Sequence, residues 1–193
     1  MARRLLLAAL VALAIASPSI AQTGATGAGE QDPVFVFNRI CYAQVPDVQA
    51  IRKMALELAW KAMEPEDVAA FVPAGSEPAV RDGWDAQVGE RIYRVAVTQG
   101  APAPAMATAF PGFEDGTATR CTMVLDEHHA PDVFLANMRT LAGKEPLSAN
   151  VPGDGGVTTT TWAGGNEDLK VVLVAQANPD GAGGVLSVTV LQR

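Results

Sequence analysis

Two histidines, His128 and His129, follow two carboxylates, Asp126 and Glu127, and they are the only histidines in the sequence. Such side chains bind metal ions and transfer protons. Metal ligands must converge on one point, whereas neighbouring residues of an extended chain point to opposite sides. The run also lacks H-x-x-x-H and H-E-x-x-H spacing. We therefore predict a solvated turn and no metal site.

Other catalytic signals are weak as well. The serines beyond the first 22 residues lie outside any G-x-S-x-G motif; they are Ser76, Ser148 and Ser187. Glycine clusters at 153–156, 164–165 and 181–184 lie between predicted strands, so we interpret them as hairpin turns and not as phosphate-binding loops. We name no catalytic residue and no cofactor, and favour a non-catalytic role over an enzymatic one.

The most prominent candidate binding region is residues 99–118, a segment rich in Ala, Pro, Gly and Thr. Structureless loops of this length are uncommon in compact domains and are usually functional or disordered. Phe110 and Phe113 flank a Pro-Gly turn, and the commoner outcome is that both rings fold back on the core as a lid. The other interpretation is a ligand site formed by Phe110, Phe113 and Trp84.

The first residues predict export. Residues 1–21 combine two early arginines, an apolar run over 5–16 and small side chains at Ser19 and Ala21, which is the layout of a cleavable signal peptide. The apolar run is shorter than the roughly twenty residues of a bilayer-spanning helix. Residues 22–32 are small and polar, which is typical of a flexible leader. We predict a soluble periplasmic or secreted protein with no membrane contact after cleavage.

The sequence contains two cysteines, Cys41 and Cys121. The predicted export places them in an oxidising compartment, where disulfides persist. They lack the C-x-x-C spacing of zinc sites and redox pairs. We predict one disulfide between them; the alternative is two unpaired, buried thiols.

Hydrophobic periodicity predicts the secondary structure. Helices are expected from residue 48 to near Glu64-Pro65, at 66–71 and at 132–142. Strands are expected at 34–37, 91–98, 119–126, 157–162, 169–177 and 185–191. Short turns of Gly, Asn and Asp between the last three strands are typical of an antiparallel meander.

Segregated helices and a strand-rich end predict one α+β domain over residues 33–193. Two main helices should pack on one face of a five- or six-stranded, mostly antiparallel sheet. The net charge of −7 and the scattered lysines argue against nucleic acid as a partner. We predict an exported module that binds a small molecule or an envelope protein without catalysis. The alternatives are an exported hydrolase using scattered carboxylates with His128 or His129, and an inhibitor or assembly factor acting by surface contact.

Overall fold

The computed structural model describes residues 32–125, 131–178 and 183–193. The predicted signal peptide, residues 1–21, lies outside these ranges, as does the predicted leader except Asp32. His128 and His129, with the carboxylates before them, also lie outside the described residues. Within the described part, no helix is both long and apolar enough to span a bilayer.

In the ranges that the structure describes, eight antiparallel strands form one sheet with helices packed against it, so the fold is α+β as predicted. The strands are β1 (Lys61–Ala62), β2 (Val80–Val88), β3 (Arg91–Gly100), β4 (Thr117–Leu125), β5 (Ser148–Pro152), β6 (Thr158–Gly165), β7 (Leu169–Ala177) and β8 (Gly184–Gln192). The helices are α1 (Pro33–Phe37), which continues into a π-helical turn (Asn38–Tyr42), then α2 (Val48–Glu57), α3 (Pro65–Ala69), α4 (Pro104–Ala109) and α5 (Pro131–Ala142). A 3-10 turn (Asp154–Gly156) precedes β6.

The strand order is β1-β2-β3-β4-β8-β7-β6-β5, so two antiparallel meanders meet at the central pair β4 and β8. Cys121 pairs with Val188 in that central ladder. One meander follows α1 and α2 in the chain, and the other follows α5. The two halves of the chain are therefore arranged alike, with helix first and meander second.

One face of the sheet carries the main core. Asp47 caps α2 by accepting a hydrogen bond from the backbone N–H of Ala50 at 3.1 Å, and the helix then buries an apolar stripe against the strands. Helix α5 contributes Phe134 and Met138 to the same cluster. Both main helices thus share one face, and the strand residues beneath them include Tyr93, Val95, Met123, Trp162, Leu173, Leu186 and Val188.

Residues 34–37 are helical, so the strand predicted there is wrong. Asp32 accepts a hydrogen bond from the backbone N–H of Val34 at 2.8 Å, and Pro33 occupies the first helical position. Both features favour a helix start. Asn137 of α5 also donates to the Asp32 carboxylate. Capping and burial outweigh the β-propensity of Val and Phe here.

The prediction of five or six strands was too low, because β1, β2 and β5 were missed. Strand β2 contains Gly83 and two aspartates, which are uncommon in strands, and β5 contains Asn150 and Pro152. Each of these segments pairs with a regular neighbour, β3 or β6. Backbone hydrogen bonds to the neighbouring strand therefore stabilise the strand conformation in these segments, although their amino-acid composition does not favour it.

Cys41 and Cys121 form a disulfide, with their Cα atoms 5.4 Å apart. Both residues are fully buried. Cys41 belongs to the π-helical turn and Cys121 to β4, so the bond joins the helical layer to the centre of the sheet. The predicted pairing is confirmed.

Replacing both cysteines, as Cys41→Ala with Cys121→Ala, should lower the free energy of unfolding by about 3–4 kcal/mol. The physical reason is that the bond restricts a long loop of the unfolded chain. Urea denaturation measures the change, and adding reductant to the native protein should produce a similar loss. A double variant within about 1 kcal/mol of the oxidised protein would contradict this role.

Candidate functional site: an apolar groove beside the first helices

A cavity of about 340 Å³ opens between the first helices and the far end of β2. Helix α1 and the π-helical turn form one wall, the end of α2 forms another, and the turn between β2 and β3 closes the third. The lining side chains are mostly apolar: Phe35, Val36, Ile40, Met54, Leu58, Trp60 and Val88, with Arg39, Gln87 and Gly89. Small-molecule sites commonly have this apolar character and start at about 300 Å³.

The end of α2 positions two of these side chains. The backbone N–H of Trp60 donates to Ala55 at 2.9 Å, and that of Ala59 donates to Leu56 at 3.2 Å, which is the hydrogen-bond pattern of a Schellman motif. Ala59 has a φ of 51°, in the left-handed region where glycine is usual. The chain therefore turns sharply after Leu58, and Trp60 is brought back against Ala55.

The groove has a buried floor and an exposed rim. Phe35 and Leu58 are each 49% exposed, whereas Trp60 is only 8% exposed. Phe35 and Leu58 line the same cavity, and contiguous exposed apolar patches often mark interaction sites. The groove therefore offers apolar area that is available to a ligand.

Two polar groups belong to side chains that line the groove. The indole Nε1 of Trp60 is shielded from solvent and has no hydrogen-bond partner in the described part of the chain. A buried donor without a partner costs about 1–3 kcal/mol. Arg39 is exposed at the rim and forms no ion pair within the described ranges. Arg39 would favour a ligand that brings a negative charge, whereas the Trp60 indole N–H is not presented to the open groove.

The sequence-predicted site residues lie elsewhere. Trp84, on β2, pairs with Val95 and packs against the main core. Phe110 ends α4 and is partly exposed, while Phe113 is 2% exposed. None of the three predicted residues lines the groove.

Phe113 is held in place by Arg193. The Arg193 guanidinium lies 5.4 Å from the centre of the Phe113 ring, and its Nε donates to the carbonyl of Gly112 at 2.8 Å. Glu114 accepts hydrogen bonds from the backbone N–H of Gly112, and these bonds lower the pKa of the Glu114 carboxyl. The segment is therefore an ordered turn with one aromatic ring covered.

Sequence reasoning missed Phe35, Leu58 and Trp60. Phe35 was assigned to a strand, although Asp32-Pro33 is a helix start signal. Leu58 continues the spacing of the buried stripe of α2, yet the helix ends at Glu57. No local signal marks the left-handed turn, because alanine replaces the expected glycine at position 59.

Chemical groups for catalysis are not assembled in the groove. Its lining contains no carboxylate, histidine or cysteine. Throughout the ranges that the structure describes, no three His, Cys, Asp or Glu side chains converge to hold a metal ion. The lining of the groove instead combines apolar side chains with the Arg39 guanidinium and the Gln87 amide.

Replacing Ala59 with glycine should raise the free energy of unfolding by about 0.5–1 kcal/mol, because it relieves the left-handed strain. Urea denaturation measures the change. The control is Ala50→Gly within α2, where glycine should lower stability by about 1 kcal/mol. An equal loss of unfolding free energy in Ala59→Gly and Ala50→Gly would contradict a left-handed conformation at Ala59.

Phe113→Ala should lower the free energy of unfolding by about 3 kcal/mol, because it leaves a buried cavity. Phe110→Ala should cost no more than about 1 kcal/mol, since its ring is partly exposed. Thermal or urea unfolding of the two variants tests this difference. A larger loss of unfolding free energy for Phe110→Ala than for Phe113→Ala would contradict the burial of Phe113 and the partial exposure of Phe110.

No protein-family model matches the chain, and neither the curated proteins nor the solved structures contain a significant match. The function inferred for the chain therefore depends on the side chains of the groove.

Proposed function

We propose that the chain is an exported, non-catalytic module that binds a small amphiphilic acid in the groove. The observation that carries the proposal is the open apolar cavity of about 340 Å³ with half-exposed Phe35 and Leu58 at its rim. The export component rests on the first 21 residues, and the disulfide is compatible with an oxidising compartment.

The size and lining of the groove favour a small molecule over an envelope protein. The cavity is at the lower end of the volume range of ligand pockets, whereas stable protein partners usually cover about 800 Å² per side. The segment before the first helix, residues 22–31, contains no aromatic or large aliphatic side chain. It therefore lacks the groups that would fill the apolar part of the groove.

The polar groups favour an acid. Arg39 at the rim can attract a negative charge. The Trp60 indole N–H is unpartnered but shielded, and the proposal requires the floor to rearrange so that this group donates to a ligand oxygen. An uncharged apolar ligand would leave both groups unused. A short fatty acid combines an apolar tail with a carboxylate, so we take octanoate as the probe.

Octanoate should bind to the native protein saturably, with a dissociation constant on the order of 0.1–1 mM. The contact of its tail with Leu58 predicts that Leu58→Glu weakens binding at least about tenfold. Isothermal titration calorimetry measures both constants. The matched control is Leu56→Glu: Leu56, two residues before Leu58 in the last turn of α2, is 82% exposed and does not line the groove.

Two further comparisons test the polar groups. Octanol should bind about three- to tenfold more weakly than octanoate, and Arg39→Gln should remove that difference. Trp60→Phe keeps the aromatic floor but removes the donor, so it should weaken octanoate binding. Absence of saturable binding, or an equal loss in Leu56→Glu and Leu58→Glu, would overturn the proposal.

A further inference from the structure

Arg120, near the middle of β4, is a partly buried cation on the face of the sheet opposite the main core. Its Nε donates to Thr122 Oγ1 at 3.1 Å, and its Nη2 is 3.4 Å from Ser187 Oγ. Burial lowers the pKa of the Arg120 guanidinium. No carboxylate forms an ion pair with Arg120 among the residues that the structure describes.

The hydrogen bonds of Arg120 leave a defined part of the guanidinium free. A guanidinium has five N–H donors, and the Nε side is occupied by the two hydroxyl acceptors. Both protons of Nη1 and one of Nη2 have no protein acceptor in the described ranges. Two adjacent amino groups with parallel N–H bonds match the two oxygens of a carboxylate.

Sheet register places a threonine on each side of Arg120. Thr98 of β3 and Thr189 of β8 are its direct cross-strand partners. Directly opposed side chains on one face of a sheet are close neighbours. Neither threonine hydroxyl has a hydrogen-bond partner within the described parts of the chain. The row formed by Thr98, Arg120 and Thr189 therefore places a cation between two hydroxyl groups that are available as donors.

A small cavity of about 30 Å³ lies beside this row. Its lining includes Arg120, Thr98, Thr189 and Ser76, and Arg120 is the only charged residue in that lining. Apolar side chains from the α4 region, Ala103 and Met106, cover one side. A space of this size holds about two water molecules, which a small planar carboxylate can replace more readily than a larger tetrahedral phosphate.

We propose that this cavity is a second binding site, which takes a carboxylate group through Arg120, Thr98 and Thr189. A charge removed from water needs a partner of opposite sign, and the free edge of the guanidinium and the two hydroxyls supply the matching donors. The site is on the opposite face of the sheet from the groove and does not depend on the function proposed for it.

Titration with 13C-labelled formate tests the site. Formate is the smallest carboxylate, and its NMR line should broaden saturably in the presence of the native protein. Arg120→Gln should weaken this binding at least about tenfold, because it removes both the charge and the paired donors. Arg120→Lys keeps the charge without the paired geometry and should weaken binding less than Arg120→Gln does.

Three control measurements distinguish formate binding at Arg120 from formate binding in the groove and from nonspecific anion binding. Arg39→Gln removes a cation from the groove and should leave formate binding unchanged, and Arg120→Gln should leave octanoate affinity unchanged. Thr98→Val keeps the side-chain volume and should weaken formate binding about two- to fivefold, because it removes one hydroxyl donor. It replaces Arg120→Gln as the test if Arg120→Gln does not fold. The proposal would be overturned by unchanged formate binding in folded Arg120→Gln or in Thr98→Val. Displacement of formate by sulfate at equal ionic strength would also overturn it, because it would show nonspecific anion binding.

Discussion

The contact between the helical layer and the centre of the sheet is the constraint on which the other features depend. Apolar side chains of α2 and α5 bury the strands beneath them, and the Cys41–Cys121 bond attaches the π-helical turn to β4. The π-helical turn contacts both α1 and α2. The groove lies between these elements and the end of β2, so its position depends on the packing of the core.

The two faces of the sheet have different chemistry because residues alternate along each strand. On the helical face, Cys121 and Met123 contribute apolar packing, whereas Arg120 and Thr122 of the same strand face the other side. We propose that the groove on the helical face takes an apolar ligand with a polar end. On the opposite face, hydroxyl groups surround Arg120. The two proposed sites therefore differ in the ligand chemistry that they favour.

Hydrophobic periodicity predicted most of the regular helices and strands, and the cysteine count with the predicted export predicted the disulfide. The start of α2, helix α5, strands β3, β4, β6, β7 and β8, and the disulfide follow from alternation, spacing and cysteine count. Residues 34–37 were misassigned because capping by Asp32 and tertiary burial overrode β-propensity. The groove could not be predicted, because Phe35, Leu58 and Val88 come from three separate segments and meet only after the chain has folded. The left-handed Ala59, which ends α2, has no sequence signature.

The central claim is that a ligand enters the groove and engages its floor. The most direct measurement is the 1H–15N spectrum of the native protein during an octanoate titration, with the Trp60 indole resonance assigned by its loss in Trp60→Phe. We expect a saturable shift of that resonance together with backbone shifts around Phe35 and Leu58. Shifts confined to residues near Phe110 and Phe113, with the Trp60 resonance unmoved, would contradict the claim.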